Sequence, residues 1–310
     1  MKHVIIFIFL FTLTKVSNAQ NLDFLKGFNC EILIDENYGK FDRNKFDIII
    51  PNNTEPHGLI IYLHGGGFIN GDKEMLYRRK DDVLFFLENN IAVATINYRY
   101  LQINDSLGVN ACLHDIKTAL QFIRFNALKY NIDKSRVAAY GSSAGAGSSL
   151  FLAFHDEMAI EGDSTLLGES TRLKCVGAIG TQSTYNVFAW KKIIPWYRIV
   201  TFIKRKSFNN DAANFYGYPN YKSFKANHTG ILKDLNMLEM IDSQDPPVYL
   251  VNLMKESFPK NKSVIQHHRK HAEILSKTLT AFGVKNYLYT HKHGIDKDFP
   301  VRVFLVNNLR

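Results

Sequence analysis

Short apolar runs and longer amphipathic stretches take turns along most of this chain. The runs fall at residues 46–50, 59–63, 91–97, 136–140, 175–179, 248–252 and 286–290. They have the length of strands, and their nearly continuous apolar character predicts burial on both faces. Between them, residues 113–130, 144–155 and 267–282 carry apolar positions at three- and four-residue spacing, the mark of helices with one buried stripe. Strands alternating with helices predict βαβ units and a mostly parallel sheet flanked by helices. Residues 185–241 break the rhythm. They are rich in aromatic residues and Asn and lack a clear strand, so they read as an irregular helical cap inserted over the sheet. The expected organisation is one α/β domain over residues 20–310 with that insertion.

Residues 1–19 are expected to stand outside the domain. Lys2 and His3 precede an apolar stretch at 4–13, and Ser17-Asn18-Ala19 offers small residues for cleavage before Gln20. This is the layout of a secretory signal peptide. The apolar stretch is too short for a bilayer span, which needs about 20 residues. No later segment approaches that length either. A secreted or periplasmic chain without stable membrane insertion is therefore expected.

Composition narrows the picture further. Of 310 residues, 46% are hydrophobic and 22% charged, which suits a packed core and not a disordered chain. Three cysteines exclude a disulfide-stapled scaffold, and Cys112 and Cys175 sit in apolar patterns as small buried hydrophobes. The net charge of +9 raises the question of nucleic acid. The basic runs Arg78-Arg79-Lys80, Lys191-Lys192 and Lys204-Arg205-Lys206 are short, scattered, and free of aromatic interleaving. No nucleic-acid partner is expected.

Candidate chemistry begins at Gly141-Ser142-Ser143-Ala144-Gly145, between a strand-like run and a helix-like stretch. A Gly-x-Ser-x-Gly in that context makes a sharp turn that lifts the central serine hydroxyl above the sheet, at the positive end of the next helix. Ser142 and Ser148 read as turn and helix-packing residues. His64-Gly65-Gly66-Gly67-Phe68 directly follows the run at 59–63. Its glycines let backbone N–H groups approach a ligand closely. The N–H groups of Gly66, Gly67 and Ala144 are candidates for stabilising an oxyanion. Gly65 supports the loop, and His64 reads as a buried orienting residue. A phosphate-cradling loop is the competing reading, but the Lys-Ser/Thr that would follow is missing.

These two motifs resemble those of the α/β-hydrolase superfamily, and within it the hormone-sensitive-lipase-like esterases. Asn97-Tyr98-Arg99 and Asp115 agree, and the resemblance covers about residues 46–309, more strongly before Tyr185. It implies an α/β-hydrolase fold and a Ser-acid-His triad, in that chain order, which hydrolyses esters through an acyl-enzyme. No cofactor is implied. Ser143 would be the nucleophile. The base is expected after the last strand, where His293-Gly294-Ile295 fits best and His291 is the other candidate. The acid is expected after Asp245-Pro246-Pro247 and its strand, which gives Glu256, although a solvated loop carboxylate is nearly as good a reading. Asp242 and Asp245 precede the strand, and Asp296 and Asp298 follow the histidine.

His267-His268-Arg269-Lys270-His271 opens the last long helical stretch. His267 and His271 are four residues apart, on one helical face, as metal ligands can be. The alternative is a first helical turn with histidines facing solvent, one of them packing near the active-site rim. Cations interrupt the cluster and no His-Glu-x-x-His is present, so no metal is expected. Phe188, Trp190, Trp196, Tyr197, Phe215 and Tyr216 would either wall an acyl or sugar pocket or belong to the core. The expected activity is hydrolysis of short-chain acyl esters of small molecules or carbohydrates, including acetyl esters. A peptidase on the same fold and a non-catalytic hydrolase-like binding protein are the competing readings.

Overall fold

A computed structural model describes residues 22–103, 105–255, 262–292, 296 and 298–310. The strands are β1 (Cys30–Asn37), β2 (Lys45–Pro51), β3 (His57–Leu63), β4 (Ile91–Ile96), β5 (Ile132–Ser142), β6 (Val176–Ile179), β7 (Val248–Asn252) and β8 (Asn286–Thr290). They form one eight-stranded sheet in the order β1-β2-β4-β3-β5-β6-β7-β8. The β1–β2 and β2–β4 pairs are antiparallel, and every pair from β4 through β8 is parallel. Each apolar run of the sequence therefore becomes a strand.

The helices are α1 (Lys80–Glu88), α2 (Val109–Phe125), α3 (Ala144–Phe154), α4 (Tyr197–Ile203), α5 (Arg205–Phe215), α6 (Tyr221–Asn227), α7 (Thr229–Asp234), α8 (Met237–Met240), α9 (Lys262–Gln266), α10 (Lys270–Ala281) and α11 (Val301–Leu309). Because strand side chains alternate, β3 splits between two cores. Leu59, Ile61 and Leu63 pack on one face with Ile116 of α2, Leu150 of α3 and Leu275 of α10. Ile60 and Tyr62 pack on the other with Val83 and Phe86 of α1 and Phe304 of α11. Every residue of β3 is buried, which is why its sequence shows no polar alternation. Cys112 and Cys175 are buried as expected, and burial pushes the Cys112 thiol up to about 12.

The apolar pattern misses β1, and the reason is visible in its exposure. It is one edge of the sheet, and Glu31, Ile34, Asp35 and Asn37 are exposed along it. Such a strand carries no continuous apolar run to detect. The segment between β6 and β7 holds helices α4 to α8 and no strand.

Candidate active site

The carboxyl ends of β3, β5, β6 and β7 meet at one edge of the sheet, and β5 runs out there into Ser143. That residue takes φ +54° and ψ −116° at the start of α3. A left-handed backbone at a residue with a side chain costs on the order of 1–3 kcal/mol and persists only where the surroundings enforce it. Here the enforcement comes from two glycines. A Cβ on Gly145 would lie 2.0 Å from the Leu63 carbonyl oxygen, and one on Gly141 would lie 2.5 Å from the Gly145 carbonyl. The first turn of α3 is thus pressed onto the end of β3, and the bend falls on Ser143. Its N–H donates to the Ile179 carbonyl at 2.9 Å. Gly145→Ala should cost ~3 kcal/mol of stability, as backbone has no room to yield. Urea unfolding of the two proteins checks this.

The glycine loop lies against the same bend. A Cβ on Gly65 would sit 2.9 Å from the Ser142 carbonyl oxygen and 3.3 Å from the Ser143 Cβ. Gly66 has φ +113°, and its carbonyl accepts from the Ile69 and Asn70 N–H groups at 3.1 and 3.2 Å. His64 is fully buried, with its ring stacked 4.3 Å from that of Tyr98. Burial lowers its pKa to about 4, so the ring is neutral near pH 7, with Nδ1 2.7 Å from the Gly65 carbonyl oxygen. It holds the loop and does not reach the serine.

A polar network beneath the loop fixes it to the sheet. Arg99 donates to Asp115 from Nε at 2.9 Å and from Nη2 at 2.8 Å. Asn44 donates to the same carboxylate at 2.8 Å. Asn97 donates to Asp72 and accepts from Arg43, both at 2.9 Å. Arg43 in turn reaches the Gly71 carbonyl at 3.2 Å. Within this segment Tyr98 ties the strand end to the glycine loop, its hydroxyl donating to the His64 carbonyl at 2.8 Å, while the buried Asp115 carboxylate is matched by Arg99.

His267 is the imidazole that meets the Ser143 hydroxyl. Its Nε2 is 2.8 Å from the Ser143 Oγ, and its Nδ1 is 3.2 Å from the Ser263 Oγ. It occupies the turn between α9 and α10. Asn252, at the end of β7, braces that turn by donating to the His268 carbonyl at 3.2 Å and the Thr181 carbonyl at 3.0 Å. Gln182 donates to the Gln266 carbonyl at 2.9 Å. Burial holds the His267 pKa below its usual 6.5, which keeps the ring neutral and able to accept the serine proton. The protonated ring is inactive as a base. The acidic limb of kcat/KM should therefore rise with pH through a midpoint below 6.5 and be flat above it, as a pH–rate profile will record.

The neighbouring histidines do not face solvent. His268 and His271 are buried and His267 is half-buried. The His271 ring is 2.9 Å from the Ser183 Oγ and 3.1 Å from the Ile265 carbonyl oxygen, and burial lowers its pKa to about 3. His267 and His271 thus serve separate partners. Among the described residues no three His, Cys, Asp or Glu side chains gather as a metal site would require.

A cavity of about 210 Å³ opens over Ser143, Ala144 and Gly67. Trp190, Tyr197 and Phe215 of the insertion wall it, joined by Tyr185 and Phe208. Of the other aromatic candidates, Tyr216 is core, Phe188 stacks on Phe224, and Trp196 is exposed. Tyr185, which the sequence marks only as the start of the insertion, donates its hydroxyl to the Ala144 carbonyl at 2.8 Å.

The match to a family model adds to this geometry. Residues 46–269 match the BD-FAE model. The chain belongs to the BD-FAE family. The matched span holds the glycine loop, the elbow and His267, and it ends before β8. Among solved structures, this BD-FAE chain is similar to a truncated carbohydrate esterase from gut microbiota at 17% identity, with 90% of this chain and 96% of that one covered and a TM-score of 0.61. It is also similar to an acetyl ester-xyloside bifunctional hydrolase from Caldicellulosiruptor lactoaceticus at 16% identity, covering 84% and 85%, with a TM-score of 0.57. Those likenesses speak to the fold, which is that of the α/β-hydrolases. A chlorogenic acid esterase from Aspergillus niger is 30% identical over 104 residues, which make up 32% of this chain and 20% of that protein. A cholinesterase 2 from Branchiostoma lanceolatum is 32% identical over 97 residues, 29% of this chain and 28% of that one. The chain thus aligns with 20% and 28% of the length of these two curated relatives.

In this BD-FAE protein the structure brings Ser143, Ala144 and Gly67 to one cavity, with His267 against the Ser143 hydroxyl. Glu256 and His293 lie outside the described residues, as do residues 1–19. His291 is half-buried just beyond β8. The sequence reading expects the base after the last strand and leaves His267 between a metal ligand and a first helical turn whose histidines face solvent, one of them near the active-site rim. The signal it underused was position, since His267 follows the end of β7 by 15 residues and returns to the edge where Ser143 stands.

Proposed function

We propose that the protein is a serine carboxylesterase acting through an acyl-enzyme on Ser143. The observation that carries this reading is the 2.8 Å contact between the Ser143 Oγ and the His267 Nε2, at a strained elbow beneath a cavity. A serine hydroxyl is too weak an acid to attack an ester unaided at neutral pH, and a neutral imidazole in contact with it supplies the base. His267 takes the proton as Ser143 Oγ bonds to the acyl carbon. It then passes that proton to the departing alcohol oxygen. Water repeats the sequence to release the acid. The N–H groups of Gly66, Gly67 and Ala144 face the oxyanion, and each such donor is typically worth about 3 kcal/mol. Ala144 is the first residue of α3, where helix N–H groups lack partners within the helix. Glu256, on the segment from β7 towards α9, is the carboxylate assigned to orient the imidazole.

A second source for the base has an observation of its own. β8 lies parallel to β7 with Thr290 opposite Asn252, so β8 ends, three residues before His293 in the sequence, at the edge of the sheet that carries the elbow. β8 is three strands from β5, about 14 Å at the usual strand spacing. Ser143 is the nucleophile in either case.

The cavity suggests the ester class. Its aromatic walls suit an acyl group, while Thr201, Ser207, Asp211, Lys262 and Gln266 give its lining polar groups for a hydroxylated alcohol. Several similar proteins bear names of carbohydrate and acyl esterases, and small-molecule or carbohydrate acyl esters, acetyl esters included, are the substrates we assign. The proposal also includes export by the leader at residues 1–19. A rate panel of p-nitrophenyl acetate, p-nitrophenyl butyrate, acetylated xylo-oligosaccharides and aminoacyl p-nitroanilides tests it. Ester turnover without anilide turnover is expected. Anilide rates matching ester rates would make the protein a peptidase, and no turnover at all would make it a binding protein.

A further inference from the structure

Between Glu169 and Asp211 the chain has no acidic residue, and residues 191–206 within that interval carry six cations. They are Lys191, Lys192, Arg198, Lys204, Arg205 and Lys206. The sequence shows these as two separate runs and a lone arginine, but the fold places them around α4. That helix is apolar on two sides. Tyr197 and Val200 pack inward with Trp190 and Phe208. Ile199, Phe202 and Ile203, spaced as one helical stripe, point the other way and are 46%, 76% and 71% exposed. Trp196 precedes them at 58% exposure. A helix apolar all round is normally covered on both sides.

We infer that this face docks the protein on an anionic lipid surface. The chemistry selects that occupant. A nucleic acid or anionic polysaccharide would satisfy the cations beside the stripe, Lys191, Lys192 and Arg198 among them, and leave four large apolar side chains in water. A neutral apolar protein surface would cover those side chains and strand the cations. An anionic bilayer takes both, with the apolar groups entering the headgroup–acyl boundary and the cations meeting lipid phosphates. Two details fit. Trp196 holds φ +65°, a strained backbone for a bulky residue, at the rim where indoles favour a membrane interface. A shallow depression beside it is lined by Lys191, Lys192, Arg198 and Lys270 together with Pro195 and Ile199, so cations and apolar groups share this face. The inward residues Val200 and Thr201 line the catalytic cavity, so a lipid surface on the outer stripe lies close to the cavity mouth. The inference goes beyond the esterase reading, and its test reads binding alone.

The test is co-sedimentation of the full chain with phosphatidylcholine vesicles, with and without phosphatidylglycerol at about 30 mol%. Binding to the anionic vesicles, weakened by high salt, is expected, with little binding to the neutral ones. Phe202→Ser/Ile203→Ser and Lys191→Glu/Lys192→Glu should each weaken it by roughly tenfold or more. Thermal unfolding midpoints like that of the parent protein show that the variants fold, and p-nitrophenyl acetate turnover should be unchanged in both. Equal binding to both vesicle types, or unaltered binding by either folded variant, would overturn the inference. So would retention on polygalacturonate that matches vesicle binding and survives Phe202→Ser/Ile203→Ser.

Discussion

Ser143→Ala should lower ester turnover by roughly 10⁴- to 10⁶-fold, the loss typical when the nucleophile of a serine hydrolase is removed. The fold should survive. Ser143 is only partly buried, its strained φ of +54° is enforced by Gly141 and Gly145, and its N–H bond to the Ile179 carbonyl is made by the backbone. Alanine keeps that backbone bond and loses only the hydroxyl that His267 contacts. The Michaelis constant for a small ester should change little, because the walls of the cavity remain. A residual rate within tenfold of the parent would mean that chemistry at this cavity does not pass through the serine.

The second large effect belongs to His267. His267→Gln keeps a polar side chain of similar reach yet cannot accept and return a proton. A fall in kcat of at least about 10³-fold is expected, within the range found when the base of a triad is removed. The rise of kcat/KM through a midpoint below 6.5 should disappear with it, because the titrating group is gone. A merely structural role would move stability and leave that pH profile in place. His293→Ala, measured beside it, separates the two sources of the base. A drop confined to His267→Gln confirms the contact seen here. A drop confined to His293→Ala would transfer the base to the segment beyond β8 and leave the serine assignment intact.

The sequence shows the sheet well because six of its strands are largely buried and β8, at the far edge, still packs Tyr287, Leu288 and Tyr289 against the cores, and burial writes itself as an apolar run. The edge strand β1 escapes the same logic, since Glu31, Asp35 and Asn37 keep it half in water. Ser143 and the glycine loop are legible for a different reason. Close backbone approach excludes side chains, so a Cβ on Gly145 at 2.0 Å from the Leu63 carbonyl oxygen leaves glycine as the residue that fits without a clash. His267 has no such local signature. A histidine in a helix-opening turn looks alike whether it faces solvent, packs inside or meets a hydroxyl. What decides is tertiary: Asn252 and Gln182 fix the turn over the ends of β6 and β7, which brings Nε2 to the serine. The aromatic residues of the insertion were split by packing in the same way. Trp190, Tyr197 and Phe215 reach the cavity, while Tyr216 is sealed in the core.

The central claim is that Ser143 is an activated nucleophile, and labelling with a fluorophosphonate tests it most directly. Intact-mass spectrometry of the wild-type protein should show one adduct, peptide mapping should place it on Ser143, and Ser143→Ala should take up none. An unlabelled wild type, or equal labelling of wild type and Ser143→Ala, would contradict the account.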